Sequence, residues 1–232
     1  MIRTRDRDGV RVVTLDRPER RNALRPTDLD ALREAVVDAP TAVVYVHGAG
    51  SAFSAGADLD AVASLSSDDA EAFARRGQAT MTAIEEASSV VVAGVDGDAR
   101  GGGVELALAC DLRVATPEAT LAESGVRLGL FGTWGGTVRL PRVVGASDAF
   151  DLALSGRVVD AEEARRMGLV SRVIADPESV AEELAGVPDD ALRLVKRRLR
   201  DRSKRETQEA AEAAAFADLV AAHGDDVAAS RE

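Results

Sequence analysis

At 232 residues the chain is long enough for one large domain or a domain with an appendage, and 46% hydrophobic with 30% charged residues is a soluble, globular composition. A net charge of −11 and 3% aromatic residues exclude a general polyanion binder and leave few platforms for stacked bases. One cysteine, Cys110, excludes an intrachain disulfide and a cysteine-rich metal site, and no His/Cys/Asp set has metal-ligand spacing. The opening MIRTRDRDG has no apolar core for a signal peptide and no run is long enough to span a membrane, so the default expectation is cytoplasmic.

Ile2–Arg5 and Val10–Leu15 flank the turn-forming Asp6–Gly9 and predict a β-hairpin. Arg17–Leu24 (RPERRNAL) reads as a polar, arginine-rich loop, followed by a helix over Asp28–Val37 capped by Thr27. Ala42–Val46 is a short buried strand. His47–Ala57 is a run of small residues leading to a short helix from about Asp58. Ser67 opens an amphipathic helix to about Ala87, with Ala70, Phe73, Gly77, Met81 and Ile84 on one side. Strands are expected at Val90–Val95 and Leu112–Ala115, with an Ala/Leu-rich helical run between them that ends near Cys110.

Thr120–Arg142 carries a further glycine cluster, and Ala146–Leu154 is apolar and helical. Asp160 with Glu163 makes a capping box, Gly168 ends that helix, and a strand follows at Val170–Ile174. Helices over Glu178–Ala185, Asp189–Lys204 and Glu206–Ala221 finish the chain. The pattern predicts an α/β core over 1–175 and a helical C-terminal region over 176–232.

The stretch that organises the rest is Val95–Asp111, VDGDARGGGVELALACD. A Gly-rich strand-to-helix turn leaves backbone N–H groups unpaired and lets a ligand approach without a Cβ clash. It also offers the positive end of the helix dipole to a developing anion. Glu105 on the first helical turn fits either acid/base work or, as this stretch alone favours, a tight turn with a carboxylate that simply suits the helix dipole. A second run of small residues, Ser54–Leu59, also follows an apolar strand. If the two turns converge, one N–H from each can hold a single oxygen, and a thioester or ketone carbonyl could gain negative charge there.

Four motifs in chain order carry a resemblance: RPERRNAL at 17–24, AFSAGADL at 52–59, VDGDARGGGVELALACDLRVA at 95–115 and GLFGTWGGTVRLPRVVG at 129–145, with LSGRVVDAEEARRMGLVSRVI at 154–174 also fitting. Together they resemble the crotonase superfamily, the enoyl-CoA hydratases and isomerases. The likeness implies a crotonase-like spiral of ββα units with a helical C-terminal trimerisation region, and a homotrimer or homohexamer. It implies an acyl-CoA substrate, with CoA entering only as part of the thioester. It also implies an oxyanion hole from the N–H groups of Ala57 and Gly102, beside Gly101, with Glu105 as acid/base. Positions matching CoA contacts are Arg20, Arg21, Ala23 and Ala55 to Leu59, including Asp58. Trp134 falls where the family lines its acyl pocket, although it also fits a plain core role.

The departures are as informative as the matches. Hydratases of this family use two glutamates, and the second position, twenty residues after Glu105, is Gly125 here. Isomerases of the family rely on that second position too. Glu123 is an acid two residues earlier, which a shift of the local backbone could turn into the site but which is expected to face another way. Some relatives with glycine there, the naphthoate-forming cyclases, bind an external anion instead. Gly125 also opens space for a larger acyl group. Arg100 beside the oxyanion turn is expected to pair with Asp96 or Asp98, and Asp60 stands where a lysine often helps to hold CoA phosphate. His47 is read as structural and His223 as surface-exposed. The reading is hydration of a 2-enoyl-CoA. Its rivals are hydrolysis, decarboxylation or C–C cleavage of a β-keto acyl-CoA, or an acyl-CoA-binding homologue without catalysis.

Overall fold

The computed structural model describes residues 1–229, apart from the side chain of Asp226. The chain opens with the expected hairpin, β1 (Ile2–Arg7) and β2 (Val10–Leu15), whose turn places both Asp8 and Gly9 at positive φ. A 3-10 turn at Pro18–Arg20 precedes α1 (Pro26–Val37). Thr27 does not cap α1. Pro26 occupies the first turn, where its missing N–H costs nothing, and Arg25 is the cap residue, its N–H donating to Asp28.

There follow β3 (Val43–Gly48), β4 (Ala52–Ser54), α2 (Leu59–Ala63), α3 (Ser67–Glu86), β5 (Val90–Val95), β6 (Asp98–Arg100), α4 (Gly102–Ala109), β7 (Leu112–Ala115) and β8 (Thr120–Ala122). A 3-10 turn over Ser124–Leu128 leads to α5 (Gly136–Ser155), β9 (Val159–Asp160), α6 (Ala161–Arg166) and β10 (Arg172–Val173). The helices α7 (Glu178–Ala185), α8 (Asp189–Arg200) and α9 (Arg205–Ala229) complete the described chain. The predicted Ala146–Leu154 helix is thus the second half of α5, which bends at Gly145 (φ +80). The helix expected to reach Lys204 stops at Arg200.

Two sheets divide the strands. The larger has the order β1-β2-β3-β5-β7-β10, parallel apart from the opening hairpin. Its inner strands read VVYV and VVVAGV because both faces are covered, which favours unbroken β-branched runs over alternation. One face meets α1, α3 and α4 through Val44, Val46, Val91 and Ala93. On the other, Val43, Tyr45, Val92 and Val114 pack against Val180 and Ala181 of α7. His47, in β3, meets Thr14 at 2.9 Å and stacks on Tyr45, a structural post.

The second sheet, β4-β6-β8-β9, is built of two- and three-residue strands that the sequence reading leaves as loops. It lies where the Gly-rich turns emerge and fixes their spacing. The C-terminal helices are fastened by buried charge: Lys196 Nζ bonds the Ser89 carbonyl at 2.7 Å and Asp111 at 2.8 Å, and Arg200 pairs with Asp111 and Glu85. His223 is half-buried rather than exposed and meets Asp190 at 2.9 Å, because α9 folds back along α8. Among the described residues no helix is long and apolar enough to cross a membrane.

Candidate active site

The site forms where β4 and β6, paired side by side, hand the chain to their two turns. The 52–59 turn is set by Asn22 and Ser54, two buried side chains that the motif reading missed. Asn22, at φ +57, accepts from the Arg17 N–H and donates to the carbonyls of Ala49 and Ala52. Ser54 Oγ donates to the Asn22 carbonyl and accepts from the Gly56 N–H. Polar side chains that bond backbone within an irregular turn are the one signal that could have revealed them.

The three glycines of the second turn answer three different demands. Gly101 has φ +46, and nothing lies within 4 Å of where its Cβ would be. A Cβ on Gly102 would sit 2.4 Å from the Trp134 ring, and one on Gly103 would sit 2.2 Å from the Ser54 carbonyl oxygen. The two turns do converge. Gly56 has φ +81, and its Cβ would lie 2.6 Å from both the Gly102 nitrogen and the Arg100 carbonyl oxygen. Among the described residues no backbone carbonyl accepts from the N–H of Ala57 or of Gly102.

Glu105 lies on the first turn of α4 and is 2% exposed. Its Oε1 accepts the Gly136 N–H at 2.7 Å. Burial lifts its pKa from 4.5 to about 7, against the pull of the Gly136 and Trp134 N–H groups and the Arg139 charge. A carboxyl that titrates near neutrality beside an electropositive helix start is equipped to take and return a proton.

Glu123 does not face another way. It is 7% exposed, and its carboxyl turns toward Glu105. The point a Cβ on Gly132 would occupy lies 3.0 Å from Glu105 Oε1 and 3.2 Å from Glu123 Oε2, so the bare backbone of Gly132 is what lets the two acids approach one space. Burial, and then the neighbouring Glu105, push the Glu123 pKa well above its ordinary value. Gly125 lies in the 3-10 turn, and a Cβ there would meet the Leu130 and Phe131 backbone at 3.4 Å, ordinary contact.

An apolar cavity of about 250 Å³ adjoins the acids, lined by Glu123, Phe131, Gly136, Leu140, Phe150 and Leu154 among others. Trp134 is 1% exposed and does not line this cavity. It backs the Gly102 turn and meets Phe73 edge-on at 5.6 Å.

At the other end Arg20 and Arg21 are exposed and Ala23 is buried, and the Ala55 N–H bonds the Arg21 carbonyl at 2.8 Å. Asp58 is buried, caps α2 through the N–H groups of Asp60 and Ala61, and pairs with Arg17 at 2.5 Å, which holds its carboxyl below the usual range. Leu59 is exposed. Arg20 pairs with Asp60. Arg100 pairs with Asp98, one of the two expected partners, also bonds the Thr120 hydroxyl, and so does not reach the acids. Cys110 is buried with its thiol pushed up to about 12, which makes it inert.

Residues 5–226 match the model of the family described as enoyl-CoA hydratase/isomerase. The chain is 38% identical over 176 residues to a crotonyl-CoA hydratase of Syntrophomonas wolfei, covering 74% of this chain and 68% of that one. It is 34% identical over 200 residues to a probable enoyl-CoA hydratase, echA8, of Mycobacterium leprae, covering 81% and 76%. The crystal structure of an enoyl-CoA hydratase from Bacillus anthracis superimposes with a TM-score of 0.89 at 31% identity, covering 94% of this chain and 90% of that one.

Proposed function

Because the chain belongs to the enoyl-CoA hydratase/isomerase family, we propose that it hydrates a 2-enoyl-CoA, with the thioester oxygen held by the N–H groups of Ala57 and Gly102. Water adds at the β-carbon, the π electrons move through the α-carbon to the thioester oxygen, and the enolate so formed is the charge that the turn must hold. Fixed N–H donors at a helix start act there without reorganisation, and one such donor is worth about 10²–10³ in rate. Glu105, ionised above pH 7, takes the proton from water. The apolar cavity takes the acyl chain, and the Arg20–Arg21 loop with residues 55–59 takes the CoA. Helix α9, with Phe216 and Val220 exposed, fits the assembly of trimers that its family position implies.

The observation that carries this reading is the meeting of the two turns at Gly56 and Gly102, one helical turn from a buried carboxyl titrating near neutrality. The test is loss of the enoyl-thioester absorbance of crotonyl-CoA with the wild type and Glu105→Gln. Turnover by the wild type that falls at least about 10²-fold in Glu105→Gln is expected. Release of free CoA in place of a hydrated thioester would instead favour hydrolysis on the same oxyanion turn, the reading that Gly125 keeps in view.

A further inference from the structure

Hydration needs two proton positions, one that strips the water and one that supplies the α-carbon, and Glu105 accounts for one. Where the second would come from Gly125 there is no side chain. Glu123 is a buried carboxyl without assigned work. It lines the apolar cavity, and its Oε1 has no hydrogen-bond partner among the described residues. A buried polar atom left unpartnered costs free energy that an apolar residue in the same wall would avoid. Its Oε2 shares the space in front of Gly132 with Glu105 Oε1.

The two acids are not equivalent. Glu105 receives the Gly136 N–H and faces the Arg139 charge, which favour its carboxylate form. No donor reaches Glu123 Oε1, and Glu105 is the charged group that faces it. Once Glu105 ionises, above about pH 7, the low-dielectric space they share holds one proton, and the unsupported Glu123 keeps it.

We propose that Glu123 is the second acid of this site, reaching from two residues before Gly125 to protonate the α-carbon while Glu105 deprotonates the water. The proposal rests on the hydratase reading above. In the step, the water O–H bond breaks and its proton goes to the Glu105 carboxylate as the C–O bond forms at the β-carbon. The electron pair held on the thioester enolate then returns to the α-carbon and takes the proton of Glu123. Glu105 ends protonated and Glu123 ionised, and passage of one proton between them restores the starting state.

The test compares wild type, Glu123→Gln and Glu123→Asp with crotonyl-CoA across pH, beside deuterium exchange into the α-carbon of butyryl-CoA, which needs no water addition. Glu123→Gln removes an acid that lacks a partner and so is expected to fold. It should lower kcat by about 10²-fold or more with KM little changed, abolish the alkaline limb of the pH profile, and lose α-exchange. Glu123→Asp, with the carboxyl drawn back by one methylene, should fall between. If the wild type hydrates and Glu123→Gln keeps kcat within about threefold, the proposal is overturned and the hydratase reading survives, since a single acid/base is worth far more. If the wild type fails to hydrate, that reading falls and exchange decides: loss in Glu123→Gln upholds the acid role, and unchanged or absent exchange overturns it.

Discussion

Glu105→Gln should make the protein more stable at high pH while removing its activity. In the folded chain burial raises the Glu105 pKa from 4.5 to about 7. A raised acid holds its proton more tightly when folded, so its contribution is intact below pH 4.5 and is lost as pH rises through 7. A tenfold change in proton affinity is about 1.4 kcal/mol, so the ionised, buried carboxylate costs about 3 kcal/mol above pH 7. Glutamine keeps an oxygen for the Gly136 N–H but brings an amide that needs partners, an offset of about 1 kcal/mol. The expected gain is therefore about 2 kcal/mol at pH 8.5, with none, or a small loss, at pH 4. Urea unfolding of both proteins at the two pH values, at one fixed protein concentration, reads the difference directly. A stability change that is the same at both pH values would refute the claim that Glu105 is held against its charged form.

Three further outcomes follow from the geometry. Alanine should be tolerated in the order Gly101, Gly102, Gly103. The first costs only the strain of φ +46 with ψ −115, about 1–3 kcal/mol, whereas the second meets the Trp134 ring and the third the Ser54 carbonyl, about 3 kcal/mol or more, as thermal melts will show. Asp60→Asn should leave Arg20 only its 3.9 Å contact with Asp58 and lower the Kd for CoA a few-fold in calorimetry at low salt, an effect that fades at high salt if it is electrostatic. Asn22→Ala should cost about 2–4 kcal/mol by stranding an N–H and two carbonyls, and should raise KM for a CoA thioester because the 52–59 turn loses its brace.

The larger sheet was legible because its residues report their own burial. Val90–Val95 and Leu112–Ala115 are found where the apolar runs place them, and α7 spans the predicted Glu178–Ala185. The smaller sheet was not legible, since two- and three-residue strands fall short of any periodic window and take their shape from pairing. The start of α5 was hidden by Gly136, Pro141 and Gly145, a glycine–proline content that reads as loop; packing on α4 overrides it.

For the site, the divide runs between backbone and side chain. Turn glycines can be read because their types state a backbone need, and Gly56 and Gly102 do meet as the two runs of small residues suggest. The direction of Glu123 could not be read, because it stands at the head of a 3-10 turn with φ −84 and ψ 66, outside any regular period that assigns faces. Its orientation depends on Gly132 and Gly136, nine and thirteen residues away, where missing side chains leave Glu105 room to be approached. A Cβ at 125 would meet the Leu130–Phe131 backbone at 3.4 Å, whereas Glu123, just past the end of β8, carries its carboxyl to the space before Gly132. The work of that carboxyl is what the comparison of Glu123→Gln with the wild type puts to the test.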